Sequence, residues 1–199
     1  MAPQPTPRLT PEQYLEIERQ AEVRSEFYNG RMYAMSGRTW PHHKIIIDLA
    51  FALQAAFGNR CSVVANGMRV RVAPDGLYTY PDVVVVCGPR KMADDRKDTL
   101  VNPAFVAEVL SPSTEAYDRG FKAAQYRKID SLREYALVSQ DEPRIETYVR
   151  GTSGDWTFRE FAGMNAICRF ESMDCQVPMS SIFGNVDFTE AEQPVRPAE

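Results

Sequence analysis

Asp82 stands between a proline and four consecutive valines in YPDVVVVC (residues 80–87), and Glu108 interrupts a second apolar run, NPAFVAEVLS (102–111). An ionised carboxylate buried without a partner is costly and is driven toward its neutral form, so each acid needs a metal, a cation or hydrogen-bond donors. Two such acids aimed at one point from neighbouring strands would repel unless a divalent cation lay between them. Hard carboxylate oxygens suit magnesium or manganese. Carboxylates around such an ion and its waters are what phosphate-ester hydrolysis uses, because the ion polarises a phosphoryl oxygen and acidifies the attacking water. A lysine would complete the set by stabilising the developing charge. The candidate is Lys122, four residues beyond Asp118 on the segment that follows the Glu108 run, so that both side chains share a helix face. Gln125, three residues further on, would reach the same mouth.

Each of these residues also has a plainer reading. Asp82 alone would serve as a strand-end residue bonded to its own turn, and Glu108 alone would pair with an arginine across a sheet. Asp118 and Lys122 would make an ordinary solvated helix pair worth a few tenths of a kcal/mol. Arg69 and Arg71 in MRVRV lie on one face of a strand and read as a phosphate-contacting stripe or, equally, as an exposed sheet face. Tyr126 reads as helix packing. His42 and His43 open a helix, where a cap or surface histidine is the plain alternative.

The elements that must position these groups follow from local pattern. Thr10-Pro11 starts a short helix through PEQYLEIERQA, with Tyr14, Leu15 and Ile17 as its apolar contacts. Asn29-Gly30 between two β-prone runs marks a hairpin with a tight turn. Ile45, Ile46, Leu49, Leu53 and Phe57 recur at helical spacing from about His42 to Phe57, with Gly58-Asn59 as the stop. CSVVANGMRVRVAP reads as two strands or one interrupted one, and PDVVVVC and AFVAEVLS as further strands. STEAYDRGFKAAQYRKIDS is a helix weakened at Gly120, and EYALVS, RIETYVR and WTFREFA are strands, the last two joined across residues 151–154. The order predicts a mixed α/β fold, one sheet covered by at least two helices.

The 199 residues are 44% hydrophobic and 25% charged, which suits one domain with a good-sized core. No apolar run is long enough to span a membrane, and the N-terminal segment lacks the order of a signal peptide, so a cytoplasmic location is expected. Cys61, Cys87, Cys168 and Cys175 have no zinc-ligand spacing and read as buried thiols in a reducing compartment. The net charge of −4 argues against gripping nucleic acid with the whole surface, though a local basic cleft is compatible with it. Proline-rich and acidic ends predict disordered tails at 1–9 and 188–199 around a single domain at 10–187.

YPDVVVV, NPAFVAEVLSPST, DRGFKAAQYRKIDSLREYALV and the earlier EFYNGRMYAMSG followed by a histidine together resemble the Uma2 family, placed in the PD-(D/E)XK nuclease superfamily. The resemblance runs from about Thr10 to Phe183. It implies a restriction-endonuclease-like core, a central mixed sheet flanked by helices, with an added N-terminal helix and hairpin and C-terminal β-hairpins. It also implies metal-dependent cleavage of nucleic acid, DNA ahead of RNA. Asp82 then matches the aspartate of PD and Glu108 the acid of (D/E)XK, Glu26 matches the family's early glutamate as a further metal-shell carboxylate, and His42 its histidine. The superfamily lysine would fall two residues after Glu108, where this chain has Leu110. Lys122 matches a lysine moved to the next helix. The expected protein is a magnesium- or manganese-dependent endonuclease, with Asp82, Glu108 and Glu26 as ligands and Lys122 as catalytic cation. His42, Gln125, Arg69 and Arg71 would contact substrate. The alternative is a latent nucleic-acid- or protein-binding module on the same fold. A homodimer is expected, with hairpin edges able to pair across a two-fold axis.

Overall fold

A computed structural model describes residues 8–188 except 36, 38 and 75. Two valine faces explain the architecture. In β6 (Val83–Cys87), Val83 and Val85 pack on one side of the sheet and Val84 and Val86 on the other, so the run is apolar because both faces are covered. β6 lies within a six-stranded mixed sheet with β3 (Cys61–Ala65), β8 (Phe105–Leu110), β9 (Glu134–Ser139), β10 (Arg144–Arg150) and β11 (Trp156–Ala162), in the order β11-β10-β9-β8-β6-β3. Only β8 and β9 run parallel; the other neighbours are antiparallel.

One face is covered by α2 (Trp40–Phe57), through Ile45, Ile46, Leu49, Leu53 and Phe57, together with α5 (Met179–Phe183) and a ribbon of β12 (Ile167–Phe170) and β13 (Cys175–Pro178). The other face receives Ala123 and Tyr126 of a helical segment running from α3 (Glu115–Tyr117) to α4 (Ala123–Tyr126). A second, five-stranded sheet has the order β2-β1-β5-β4-β7, formed by Arg31–Ala34, Ser25–Tyr28, Tyr78–Thr79, Arg69–Arg71 and Thr99–Leu100. Against it lies α1 (Pro11–Glu18), capped by Thr10 and Gln13 in a reciprocal capping box. Tyr14, Phe27 and Tyr78 form the small core between them.

Several expectations need correction. The strands form three sheets among the described residues where one was expected, and CSVVANGMRVRV, read as two strands or one interrupted one, gives two strands in different sheets because Asn66 (φ 52°) and Gly67 (φ 139°) break the chain between β3 and β4. Ile17 is 46% exposed, whereas Tyr14 and Leu15 are buried. Arg8 and Leu9, expected in a tail, are tied to the hairpin turn by an Arg8 Nη1–Asn29 bond of 2.8 Å and a Leu9 N–Gly30 O bond of 3.0 Å. Phe188 packs beside Phe183, and the rest of both expected tails lies outside the described residues. The ribbon and α5 went unread because their elements are four or five residues long. Cys61 and Cys87 face each other across β3 and β6 and are joined as a disulfide, which contradicts four free thiols; Cys168 and Cys175 are free and buried. No helix among the described residues is long and apolar enough to cross a membrane.

Glu134 on β9 is fully buried, and its Oε2 accepts from the Ser172 backbone N–H (2.9 Å) and hydroxyl (2.7 Å). Burial pushes its pKa up to about 7, against the pull of the Ser172 bonds. The folded chain therefore keeps a proton that the unfolded chain releases in the ordinary carboxylate range. Raising the pH through the window up to about 7 then favours unfolding, and the penalty is complete above it. Glu134→Gln imitates the neutral form, so its melting temperature should match wild type near pH 4.5 and exceed it increasingly up to pH 8, by on the order of 2 kcal/mol in stability. A difference that stays constant with pH would contradict this.

Candidate active site

Register brings the two acids together. Val83 pairs with Ala107 in the antiparallel β6–β8 ladder, so Asp82, one residue before β6, falls opposite Glu108. Glu108 shares with Val106 and Leu110 the face that looks toward α4, as the two-residue period requires. The acids interlock through main chain: Val109 N–H donates to Asp82 Oδ2 (2.8 Å), and Asp82 N–H donates to Glu108 Oε2 (3.3 Å).

The lysine arrives from a distorted helix. Between α3 and α4 the backbone makes a π-helical turn over Asp118–Lys122. The Asp118 carbonyl accepts from Ala123 N–H, five residues on, and from the Tyr135 hydroxyl (3.1 Å). A side-chain donor entering the ladder is a recognised cause of such a widened turn. The turn directs the Lys122 ammonium to Glu108 Oε1 (3.1 Å), Glu26 Oε1 (3.1 Å) and Asp118 Oδ1 (3.2 Å). Asp118 and Lys122 are thus both buried, unlike the solvated pair that their spacing alone suggests.

Glu26 comes from the β1–β2 hairpin, whose Asn29 and Gly30 hold the positive φ expected of the turn. Its Oε2 accepts from Tyr117 OH (3.1 Å), and its Oε1 also accepts from the Thr79 hydroxyl. Tyr126 OH donates to Glu108 Oε1 at 2.6 Å, so this residue anchors the acid as well as packing the helix. Tyr126 lies four residues past Lys122, and helical spacing therefore carried a signal for it that a packing interpretation obscured. Tyr117 and Thr79 were not singled out from sequence.

The buried cluster has four carboxylates, from Glu26, Asp82, Glu108 and Asp118, three of which, Glu26, Glu108 and Asp118, meet the Lys122 ammonium. Burial raises the Glu108 pKa to about 8; Lys122 opposes the rise, while Asp118 and Asp82 add to it. Asp118 is likewise raised, by burial first. Burial works to lower the Lys122 pKa, but the acids more than reverse this and hold it well above the ordinary lysine value. Among the described residues no group of three or more His, Cys, Asp or Glu is arranged to hold an ion, and Glu26, Glu108 and Asp118 each turn an oxygen to Lys122.

His42 enters from the first turn of α2 and brings Nε2 within 3.4 Å of Asp82 Oδ2. Asp82, Glu108, Glu26, Lys122 and His42 all line one cavity of about 450 Å3. The other expected contacts are elsewhere. Arg69 is buried and committed to Thr99 Oγ1 (2.8 Å), Tyr80 OH (3.0 Å) and Asp98 (2.9 Å). Its β4 partner Arg71 is also outside the cavity lining. Gln125 is turned away and accepts from Lys128 Nζ (2.9 Å). Leu110, at the superfamily's lysine position, is part of the apolar core.

A mixed sheet with helices on both faces, and with Asp82 at the entrance of β6 opposite Glu108 within β8, defines a restriction-endonuclease-like α/β protein. The chain belongs to the Uma2 family: the family model described as "Putative restriction endonuclease" matches residues 11–173. Two Synechocystis relatives named as uncharacterized proteins are similar to it. One, slr1290, is 38% identical over 76% of this chain and 80% of its own length; the other, sll1609, is 34% identical over 83% and 94%. The fold is shared with a crystal structure from Anabaena variabilis titled a "putative nuclease belonging to DUF820", with a TM-score of 0.71, 17% identity and coverage of 88% of this chain and 98% of that one.

Lys122→Met should lower stability by about 3 kcal/mol at neutral pH, because it leaves buried acids without their counter-charge. Adding Glu108→Gln to that variant should recover part of the loss, a non-additive result expected of groups in contact. Urea unfolding measures both; a loss under about 0.5 kcal/mol, the size of a surface effect, would show that Lys122 does not neutralise the cluster.

Proposed function

We propose that the cavity hydrolyses phosphodiester bonds of nucleic acid, DNA ahead of RNA, with a magnesium or manganese ion. The observation that carries this reading is the placement of Asp82 opposite Glu108 at the cavity floor, with the Lys122 ammonium 3.1 Å from Glu108. The donor set suits such an ion in chemistry, and holding it would turn Glu108 and Glu26 from the Lys122 ammonium. All four acids offer the hard oxygens that such an ion prefers. Asp82 and Glu108 would hold it, with Glu26 as the further carboxylate. When bound, the ion would polarise the phosphoryl oxygen and supply a water of lowered pKa.

The chain's own residues have separate tasks in this reading. Lys122, released in part from the acids, stabilises charge developing on the phosphate. Tyr126 and the Asp82 backbone N–H fix Glu108 in place, and Val109 N–H fixes Asp82. His42, beside Asp82, contacts substrate or water at the same end. A second reading, a latent binding module, is favoured by one observation: Lys122 is already engaged by three carboxylates. Cleavage assays on supercoiled plasmid, single-stranded DNA and RNA separate the two. Metal-dependent cleavage of at least one substrate is expected, abolished by chelator, Asp82→Asn and Glu108→Gln and reduced by Lys122→Ala. Equal residual cleavage in all three variants would reject the hydrolytic reading.

A cytoplasmic location, alongside the nucleic acid, belongs to the same proposal. So does the homodimer. β11 is an end strand of its sheet, and Trp40, Ile47 and Phe51 form an apolar stripe on α2, 78%, 57% and 76% exposed. Lys44 and Asp48 flank that stripe as an i,i+4 pair, so two antiparallel copies of α2 would match each lysine with the other copy's aspartate. Sedimentation should give a dimer for wild type and a monomer for Phe51→Asp; an unchanged mass would exclude this face.

A further inference from the structure

We propose that the cavity accepts nucleic acid as an unpaired strand, with one base laid against an aromatic wall, and that intact duplex is excluded. The inference rests on the phosphodiesterase reading and specifies its substrate. Every group assigned to the chemistry is nearly closed to solvent: Asp82 is 1% exposed, Glu108 2%, Lys122 6% and Glu26 7%. A scissile phosphate must therefore enter the cavity, whose volume of about 450 Å3 falls in the range of small-ligand sites and suits one nucleotide. Duplex DNA, with a persistence length of about 50 nm, carries its phosphates on a stiff cylinder and cannot fold one strand into such a space unaided.

The walls fit an unpaired base. Tyr28, Tyr33, Tyr117 and Phe121 all line the cavity. Tyr28 meets Phe121 edge-on with centroids 4.7 Å apart, and Phe121 stacks on Tyr117 at 5.2 Å. The hairpin pairs Glu26 with Tyr33, and the two-residue period puts Tyr28 on their face, so the acid and two of the rings are presented together. Tyr33 is 48% exposed and has no ring neighbour among the described contacts, which leaves its face open for a base. Lys122 in the lining is engaged by acids, and stacking on the rings supplies attraction for an unpaired base.

His42 independently points to a ligand. It is 3% exposed, lines the cavity, and neither ring nitrogen has a hydrogen-bond partner among the described residues. Nε2 meets Asp82 Oδ2 at 3.4 Å, but a buried Nδ1 with no partner among the described residues is unfavourable, and a sugar or phosphate group entering the cavity would satisfy it.

The test is fluorescence anisotropy of wild-type protein, in EDTA and in calcium, with a labelled DNA strand of about twenty bases, enough to cover a single-strand site, and with its duplex. The strand should bind roughly tenfold or more tightly than the duplex, and Tyr33→Ala and Phe121→Ala should each weaken strand binding roughly tenfold, with the salt dependence unchanged. Tyr33→Trp, which keeps a stacking face on an exposed edge strand, should bind at least as well as wild type, so a folding defect at Phe121 would not leave the question open. Equal affinity for strand and duplex, no binding of the strand, or undiminished affinity in both alanine variants would overturn the inference. Strand-selective binding with no cleavage in manganese would reject hydrolysis and leave the cavity assignment standing. Equal cleavage rates on strand and duplex would do the reverse.

Discussion

The antiparallel register of β6 against β8 is the constraint on which the site depends. Because Val83 pairs with Ala107, Asp82 must fall opposite Glu108, and a slip of one residue would turn Glu108 into the α2-side core. Both strands are buried on both faces, so register is held by packed valines and phenylalanine rather than by the acids themselves. The apolar sheet thus tolerates a charge cluster that the acids would not assemble alone. Around the cavity the buried acids are met by a lysine from a π turn, a tyrosine and the Asp82 N–H on Glu108, the Val109 N–H on Asp82, and hydroxyls on Glu26.

That charge balance has a cost in stability which ordinary cores avoid. Replacing buried ionic groups by packed apolar ones is often neutral or favourable. Here the cluster brings together a lysine, four acids and a histidine whose ring nitrogens make no hydrogen bond among the described residues, all at one cavity. Groups held in a costly state and converging on open space are the signature of a site that expects a ligand. By contrast, Arg69 is equally buried but shares Thr99, Tyr80 and Asp98 in a closed network, and it serves the second sheet instead.

Much of this was legible in the residues. Carboxylates inside valine and phenylalanine runs marked Asp82 and Glu108, and both even-numbered positions lie on the same face once the strands pair antiparallel. The turn at Asn29-Gly30, the caps at Thr10 and Gly58, and the α2 stripe were also readable, because local propensity and burial agree there. Arg69, Arg71 and Gln125 were misplaced because spacing gives a face, while sheet membership decides what that face meets. The disulfide between Cys61 and Cys87 depended on long-range pairing of β3 with β6, which spacing does not encode. The π turn required a hydroxyl from Tyr135, seventeen residues beyond Asp118 in the chain. The ribbon of β12 and β13 was too short to carry a period.

We propose that Asp82, just before β6, and Glu108 of β8 form a divalent-cation site in which Lys122 is the resident cation. Electron paramagnetic resonance of manganese titrated into the protein tests it without any substrate. The account predicts about one ion bound per chain, affinity reduced roughly tenfold or more by Asp82→Asn or Glu108→Gln, and affinity in Lys122→Met no weaker than wild type. No manganese uptake by the wild-type chain, or equal uptake after either acid is neutralised, would contradict it.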